Sequence, residues 1–272
     1  MKIRQVITGQ AGLSRTDCVA ALCYACSLTA EQVWANPDAE IGGRDLEVLE
    51  RCLNERTAGK PLAYITGRRE FFSETFTVNE NVLIPRPETE VLVEEALRRL
   101  HGRKGCVIMD MGCGSGAIGA IMAKETGNRV VCVDISFEAV RTARENTRLL
   151  GVGDLTACVC SDLFEAFRPD IQFDMILANL PYVTSGELPQ LMPDVRDFEP
   201  RLALDGGEDG LDVYRRLIAS LPGRLAPRSD ILLEIGSTDQ ARQLGILLKG
   251  AGFGIRVIND YANKERVVAG HG

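Results

Sequence analysis

The chain has 272 residues, of which 45% are hydrophobic and 25% are charged, and its formal net charge is −7. These proportions are those of a globular protein with room for one large and one small domain. The acidic balance argues against nucleic-acid backbone as the main partner, because such binding needs a clustered basic surface. No apolar run reaches the roughly 20 residues of a membrane-spanning helix. The amino-terminal sequence lacks the apolar segment of a signal peptide, so we expect a cytoplasmic protein.

Nine cysteines are scattered along the chain, several of them in apolar runs where a thiol acts as a small hydrophobic group. Cys23 and Cys26 form one CxxC pair, but no second pair or nearby histidine completes a zinc site. We therefore expect reduced thiols and no metal centre.

The amino-terminal region is predicted to form short helices. Capping signals at Ser14 and Thr29 begin two of them, the first leading into the apolar stretch 18–28. A third helix is predicted over 45–56 from its apolar stripe. This region has no strand pattern and no catalytic cluster, so we expect residues 1–73 to form a helical domain that recognises or docks a substrate.

Alternating apolar and polar residues over 71–83 mark a change of pattern. They predict a β-hairpin with its turn at 79–81. A helix is predicted to begin at Pro87 or Glu88, with carboxylates in its first turn and arginines in its last, as the helix dipole favours.

Strands and helices alternate over the rest of the chain. The predicted strands are 106–109, 129–133, 156–160, 173–178, 231–235, 255–258 and 266–269, and the helices between them are 117–124, 136–150, 211–219 and 238–249. This alternation predicts an α/β fold with a mostly parallel sheet covered on both faces. The last two strands are close enough in sequence to pair antiparallel. We assign the hairpin and the sheet to one domain, residues 74–272.

A glycine-rich loop follows the first of these strands. It contains Asp110, Gly112, Cys113, Gly114, Ser115 and Gly116. Glycines let the backbone turn tightly and approach a ligand closely, and the carboxyl ends of the strands form the ligand crevice of an open α/β sheet. The loop alone does not identify the ligand, because 114–119 also fits the dinucleotide pattern GxGxxG. A purely structural turn is the remaining alternative.

Acidic residues follow the next two strands. Asp134 ends the second strand, where a carboxylate can accept both hydroxyls of an adenosine ribose, which NAD and S-adenosylmethionine share. Asp162 and Leu163 end the third strand, where the carboxylate or a backbone group can bond an adenine edge while Leu163 packs on the ring. Each acidic residue alone would also fit a helix cap or a surface position. Three successive strand ends with suitable groups favour an adenosyl cofactor.

The fourth strand runs directly into Asn179, Leu180, Pro181 and Tyr182. The nitrogen of a carboxamide or of an exocyclic base amine is a poor nucleophile, because its lone pair is delocalised. A site that methylates it should place acceptors on both N–H bonds, and the Asn179 oxygen and the Leu180 carbonyl can do so through orientation and fixed dipoles. Pro181 stiffens the turn, and Tyr182 offers a flat face to a planar group. A strand-ending turn without chemistry is the alternative, because Asn and Pro are common in turns.

These residues resemble the HemK/PrmC family, protein-(glutamine-N5) methyltransferases that modify the glutamine of the GGQ motif in peptide-chain release factors. The resemblance covers nearly the whole chain beyond the first fifty residues. Its most specific motif is IPRPETE at 84–90, and further motifs are RTAGKPLAYITG at 56–67, FEPRLAL at 198–204 and LEIG at 233–236.

The resemblance implies a class I methyltransferase sheet of seven strands, the last antiparallel, with S-adenosyl-L-methionine as cofactor. It also implies that the helical amino-terminal domain helps to grip the release factor. By position, Gly112, Gly114 and Gly116 match the cofactor loop of the family, Asp134 its ribose-binding acid and Leu163 an adenine-contacting position. The Asn-Leu-Pro-Tyr turn matches its substrate motif.

Leu180 departs from the usual motif of the family, which is Asn-Pro-Pro-Tyr. If this position works through its carbonyl, leucine supplies the same acceptor. What is lost is the fixed φ of proline, a loosening of the order of 0.4–1 kcal/mol. We therefore expect activity to survive.

The sequence thus predicts a monomeric methyltransferase that acts on a release-factor glutamine and takes part in translation termination. An adenine-N6 nucleic-acid methyltransferase is the nearest alternative, because an Asn/Asp-Pro-Pro-aromatic turn serves the same geometry there. A dinucleotide-dependent oxidoreductase would explain the glycine loop but not the tetrapeptide, and a non-catalytic relative of an enzyme would be consistent with Leu180. For three carboxylates, Glu88, Glu90 and Glu199, the sequence leaves a role in the site and a role in the scaffold equally open. Glu234 ends a strand and is not assigned to the site.

Overall fold

The computed structural model describes residues 1–9 and 12–272. The chain divides into two compact units, residues 1–68 with 192–198, and residues 69–191 with 199–272. The predicted boundary after residue 73 would separate two strands that pair with each other, and the observed division falls earlier, at Arg68. None of the helices in the described ranges is long and apolar enough to cross a membrane.

The helices and strands are labelled in chain order. The helices are α1 (Ile3–Gly9), α2 (Arg15–Cys26), α3 (Ala30–Ala35), α4 (Gly43–Thr57), α5 (Leu62–Thr66), α6 (Glu90–Leu100), α7 (Ala117–Thr126), α8 (Phe137–Leu149), α9 (Pro193–Phe198), α10 (Asp212–Ala219) and α11 (Thr238–Gly250). The strands are β1 (Arg68–Phe71), β2 (Glu74–Thr77), β3 (Val107–Met111), β4 (Arg129–Asp134), β5 (Thr156–Cys160), β6 (Phe173–Ala178), β7 (Leu225–Glu234), β8 (Gly254–Asn259) and β9 (Glu265–His271).

The first unit is helical, and its capping signals act as predicted. Ser14 Oγ accepts from the Asp17 backbone N–H at 3.0 Å, and Thr29 forms a complete capping box with Gln32. The predicted helices are therefore confirmed as α2, α3 and α4. Helices α1, α5 and α9 escaped prediction because they span only 7, 5 and 6 residues, too few to show a helical period.

The hairpin of β1 and β2 turns at Phe72 and Ser73, so the prediction that 79–81 forms the hairpin turn was wrong. Both turn residues have positive φ, 52° and 60°, the form of two-residue loop whose twist suits a hairpin. The usual residues of such loops are Asn and Gly, and Phe-Ser gave no signal. The 79–81 segment does turn, because the Val82 N–H donates to the Asn79 carbonyl at 3.1 Å, but it follows the hairpin.

The second unit contains a seven-stranded sheet in the order β5-β4-β3-β6-β7-β9-β8. Strands β3 to β7 pair parallel, while β9 is antiparallel to both of its neighbours, which confirms the predicted fold class. Successive residues of each strand pack into different cores: Ile108 and Met109 of β3 belong to separate hydrophobic clusters, one on each face. Burial of both faces explains why these strands read as continuous apolar runs.

The register of the central strands brings three loops together. Met111, the last residue of β3, pairs with Val133 of β4 on one side and with Ala178 of β6 on the other. The segments that follow these residues therefore leave the sheet side by side. This places the glycine-rich loop between Asp134 and Asn179.

Helix α7 approaches the sheet closely at Gly119. A Cβ at this position would lie 2.4 Å from the Cys132 Sγ and 3.0 Å from the Asp110 Oδ2. The same carboxylate oxygen accepts the Gly119 backbone N–H at 2.8 Å. A side chain would push the helix away from the strands that carry the glycine-rich loop.

We predict that Gly119→Ala lowers the midpoint of thermal unfolding although alanine favours helix. Overpacking in such a contact costs roughly 1–3 kcal/mol. Gly245→Ala in α11 is the matched control, because its Cβ would meet only the Ile255 Cγ2 at 3.8 Å. Helix propensity should make that variant more stable by about 0.5–1 kcal/mol. Two equal upward shifts would contradict the close packing at Gly119.

Candidate active site

A cavity of about 320 Å³ opens at the carboxyl ends of β3, β4 and β6, a size that suits a small-molecule cofactor. Most of the predicted site residues line it: Gly112, Cys113, Gly114, Ser115, Asp134, Asp162, Leu163, Asn179, Leu180 and Pro181. Asp110, Gly116 and Tyr182 are not among its lining residues. The two loops singled out in the sequence thus meet at one cavity, and their binding roles stay a prediction.

The glycine-rich loop is held by β4. The backbone N–H groups of Gly112 and Cys113 both donate to the Val133 carbonyl, at 2.8 and 2.9 Å. Gly112 has φ +73°, and a Cβ there would lie 2.8 Å from the Leu180 Cδ2. The absence of a side chain at Gly112 thus lets the Asn-Leu-Pro-Tyr turn pack directly on the glycine-rich loop.

Asp134 connects this loop to the end of β4. Its Oδ2 accepts the Gly114 N–H and its Oδ1 accepts the Ser136 N–H, both at 2.9 Å. Burial raises the pKa of the carboxyl, while these backbone N–H groups oppose the shift. Each carboxylate oxygen can accept a further hydrogen bond, so the residue is able to bind a pair of ribose hydroxyls.

Asp110 lies beneath the loop and is fully buried. Its Oδ2 accepts the Gly119 N–H, and its Oδ1 has no hydrogen-bond partner within the described ranges. Burial raises the pKa of Asp110 to about 7, with a further contribution from the nearby Asp134. The position of this carboxyl suits support of the loop and the start of α7 rather than contact with a ligand.

The segment after β5 adds a strained residue and an ion pair. Leu163 has φ +49°, an unusual conformation for a bulky residue and one that often marks a functional site. Asp162 pairs with Arg216 of α10 at 2.7 Å, and Arg216 also lines the cavity. Ile135, which follows Asp134, lines the cavity with its side chain 51% exposed. The signal for Ile135 was an apolar residue directly after a strand-ending carboxylate.

The side chain of Asn179 is held by a residue of the IPRPETE segment. The Asn179 Nδ2 donates to the Thr89 Oγ1 at 3.1 Å, although the two residues are 90 positions apart in the chain. Thr89 is buried, and both residues line the cavity. Because one end of the amide is occupied by Thr89, the amide oxygen is left to accept from a ligand.

Tyr182 packs away from the cavity. Its backbone carbonyl accepts the Gln240 Nε2 at 2.7 Å, and a Cβ on Gly236 would lie 2.8 Å from its ring. Burial raises the pKa of the Tyr182 hydroxyl. A Cβ on Gly210 would lie 2.2 Å from the same carbonyl, so the glycine-rich 205–210 loop supports the motif. Contact between the Tyr182 ring and a substrate stays a prediction.

The carboxylates whose roles were open have different environments. Glu199 accepts from the Arg86 guanidinium at 2.5 Å and from the Ile84 N–H at 3.3 Å, so it holds the IPRPETE segment. Glu90 accepts the Phe72 N–H at 2.9 Å and thereby fastens the hairpin turn. Glu88 is exposed, whereas Glu234 is 1% exposed. None of these carboxylates lines the cavity.

Comparisons with known proteins bear on the family of this chain. The family model described as PrmC N-terminal domain matches residues 8–67, and the one described as Methyltransferase small domain matches residues 87–192. The release factor glutamine methyltransferase of Moorella thermoacetica is 39% identical over 97% of this chain and 93% of its own length. That of Neisseria gonorrhoeae is 37% identical over 95% of both chains. The chain belongs to the release factor glutamine methyltransferase family.

Solved structures at lower identity share the fold of this family member. The 16S rRNA N2 G1207 methyltransferase of T. thermophilus, in complex with AdoMet and guanosine, matches with a TM-score of 0.55 and 20% identity, over 75% of this chain and 49% of that one. A methyltransferase from Pyrococcus furiosus matches with a TM-score of 0.54 and 14% identity, over 82% and 96%. Both likenesses concern the fold alone.

Leu180 departs from the usual proline of the family, and its backbone N–H has a partner. It donates to the hydroxyl of the buried Tyr214 at 3.2 Å. The Tyr214 hydroxyl in turn donates to the Glu234 backbone carbonyl at 2.5 Å and lies 3.3 Å from the Leu180 carbonyl. Proline has no N–H, so leucine exchanges a fixed φ for a hydrogen bond that restrains the same turn.

We predict that Asp110→Asn makes the stability of the protein less dependent on pH. Because burial raises the pKa from the usual 3.8 to about 7, the contribution of this carboxyl is full below pH 3.8 and is lost as the pH rises through 7. Between pH ~5 and ~8, wild type should therefore lose roughly 3 kcal/mol relative to the variant, at about 1.4 kcal/mol per pKa unit. Urea unfolding followed by circular dichroism measures this difference. An equal gap at both pH values would contradict the prediction.

Proposed function

We propose that this chain transfers a methyl group from S-adenosyl-L-methionine to the side-chain nitrogen of the glutamine in the GGQ motif of release factors. The observation that carries the proposal is the direct packing of Leu180 on Gly112, which puts the substrate motif beside the cofactor loop. The named activity of relatives that match nearly the whole chain supports the same substrate.

The residues of the cavity fit an adenosyl cofactor. Asp134 has acceptor capacity for two ribose hydroxyls, and Leu163 and Ile135 offer apolar surface to a base. The loop at 112–116 carries glycine where a backbone must approach a ligand closely. When bound, S-adenosylmethionine supplies an electrophilic methyl group on a sulfonium.

In the reaction the protein orients the glutamine amide and does not act as an acid or a base. The Asn179 Oδ1 and the Leu180 carbonyl accept hydrogen bonds from the two N–H groups of the glutamine amide. These two hydrogen bonds direct the nitrogen lone pair towards the methyl group. With the cofactor held beside the loop at 112–116, this nitrogen would accept the methyl group, and one amide proton would leave to water. No residue of the chain needs to take up that proton.

The helical unit would serve in recognition of the release factor. Its match to the PrmC N-terminal domain supports this role. With a net charge of −7, the protein is suited to a protein partner more than to nucleic acid. A monomeric state and a cytoplasmic location complete the proposal.

The proposed function is tested by methyl transfer to paired substrates. Wild-type protein with labelled S-adenosylmethionine should label a release factor that contains GGQ, and it should not label the variant in which that glutamine is alanine. Only the glutamine offers the two N–H bonds that the site can accept. Equal labelling of both would contradict the proposal, and labelling of duplex DNA without a protein substrate would favour the adenine-N6 alternative.

Two substitutions should separate the substrate motif from the cofactor loop. Asn179→Ala removes an acceptor of the substrate amide, so we expect it to abolish transfer while calorimetry shows nearly unchanged binding of S-adenosylmethionine. Asp134→Ala should instead weaken that binding by at least about 10-fold, because even one hydrogen bond to a charged group contributes roughly 1.5–3 kcal/mol. If Asn179→Ala loses binding and folding together, Asn179 is a structural residue.

A further inference from the structure

The orientation of the Asn179 amide decides whether the proposed chemistry can occur. A carboxamide has an oxygen and an NH₂ group of nearly the same shape, and only the oxygen can accept an N–H of the substrate. In the structure the Nδ2 of Asn179 donates to the Thr89 Oγ1 at 3.1 Å. The flipped amide would direct two N–H donors at the N–H bonds of the substrate and repel them.

The Thr89 hydroxyl does not by itself select one orientation. A hydroxyl has one proton and two lone pairs, so it can accept from the Nδ2 or donate to the Oδ1 of Asn179. It acts as an acceptor only when its proton is directed elsewhere. Thr89 is 4% exposed, so water does not compete freely for that proton.

Glu234 is the group able to take the Thr89 proton. The hydroxyl lies close enough to the Glu234 carboxyl to lower its pKa, although neither carboxyl oxygen has a partner of full hydrogen-bond geometry within the described ranges. An ionised carboxylate accepts hydrogen bonds and donates none. It therefore draws the Thr89 proton towards itself and leaves the lone pairs of Thr89 for Asn179.

Glu234 also anchors the second acceptor of the substrate motif. Its backbone carbonyl accepts the Tyr214 hydroxyl, and the same hydroxyl accepts the Leu180 N–H. Because the single proton of Tyr214 goes to Glu234, the Leu180 carbonyl keeps its capacity for a substrate N–H. One residue at the end of β7 thus contacts the supports of both acceptors.

We propose that Thr89 and Glu234 are positioning residues that orient the Asn179 amide with its oxygen towards the substrate, through a directed chain from Asn179 to Thr89 to Glu234. This inference rests on the proposed function, since it concerns the same site. A purely structural role for Thr89, in which it only fills the space beside Asn179, predicts different behaviour of its variants.

The direction of the hydrogen bonds from Asn179 to Thr89 and Glu234 should depend on the charge of Glu234. Burial raises the pKa of this carboxyl to about 7. The groups that face it are Thr89, Tyr182, the cation Arg266 and the anion Glu88. Once protonated, Glu234 can donate to Thr89, which frees the Thr89 proton for the Asn179 Oδ1 and stabilises the flipped amide. We therefore expect kcat to rise as the pH increases through 7.

The first test compares Thr89→Val with Thr89→Ser. Valine keeps the shape and loses the hydroxyl, so kcat for methyl transfer to a GGQ release factor should fall by about 100-fold, the scale of a misplaced reacting group. Serine keeps the hydroxyl and should retain most of the activity. Binding of S-adenosylmethionine, measured by calorimetry, should stay within about twofold in both variants, because neither changes Asp134 or the glycine-rich loop.

The second test uses the pH profile of kcat. Glu234→Gln should lose the rise near pH 7, because glutamine does not change charge there. Asp110→Asn is the control: it removes the other buried carboxyl with a pKa of about 7 and should keep the rise. This test also decides the matter if Thr89→Val fails to fold, which a loss of cofactor binding would reveal.

The inference fails if wild type methylates the glutamine and Thr89→Val does so equally fast. It also fails if Thr89→Ser is as slow as Thr89→Val, or if Glu234→Gln keeps the pH-dependent rise. If wild type itself transfers no label to the GGQ glutamine, the proposed function is what fails. The two failures are therefore distinguishable in one set of assays.

Discussion

The parallel register of β3 between β4 and β6 is the constraint on which the site depends. Neighbouring parallel strands that end at the same level release their loops side by side, and here Met111 pairs with the last buried residues of both neighbours. The loop after β3 therefore lies between Asp134 and Asn179. A shift of register by one residue would exchange the two faces of a strand and separate the two loops.

Two residues with buried carboxyls, Asp110 and Glu234, lie behind the two loops. The Asp110 carboxylate accepts the Gly119 N–H of α7 beneath the glycine-rich loop, and the backbone carbonyl of Glu234 accepts the hydroxyl of Tyr214, which in turn accepts the Leu180 N–H. Both are almost inaccessible to water, and burial raises the pKa of each to about 7. Burial of an ionisable group costs stability, so the fold retains two groups that a purely apolar core would lack. Their role is to set the direction of hydrogen bonds, because an ionised carboxylate only accepts and so orients the neighbouring amides and hydroxyls that donate to it.

Much of the fold was predictable because burial leaves a periodic pattern in the chain. The strands between 106 and 269 and the helices between them follow from apolar runs and capping residues. The predictions that failed concern short elements and local backbone geometry. Helices α1 and α5 were missed, and so was the hairpin turn at Phe72, because its residue types do not indicate a positive φ. The glycine-rich loop and the Asn-Leu-Pro-Tyr turn could be placed at the edge of the sheet in advance, because each follows a predicted strand. In the folded protein, Tyr182 and Asp110 do not line the cavity.

The sequence by itself determined the family, the layout of strands and helices, and the residue types that a planar nitrogen and an adenosyl group require. Only the tertiary structure decided how those residues are held. Thr89 meets Asn179 across 90 positions of chain, and Tyr214 meets Leu180 across 34. Such contacts have no period or spacing in the sequence, since they arise where loops from separate strands converge. The same holds for Leu180, whose N–H partner became visible only when α10 was placed beside the substrate motif.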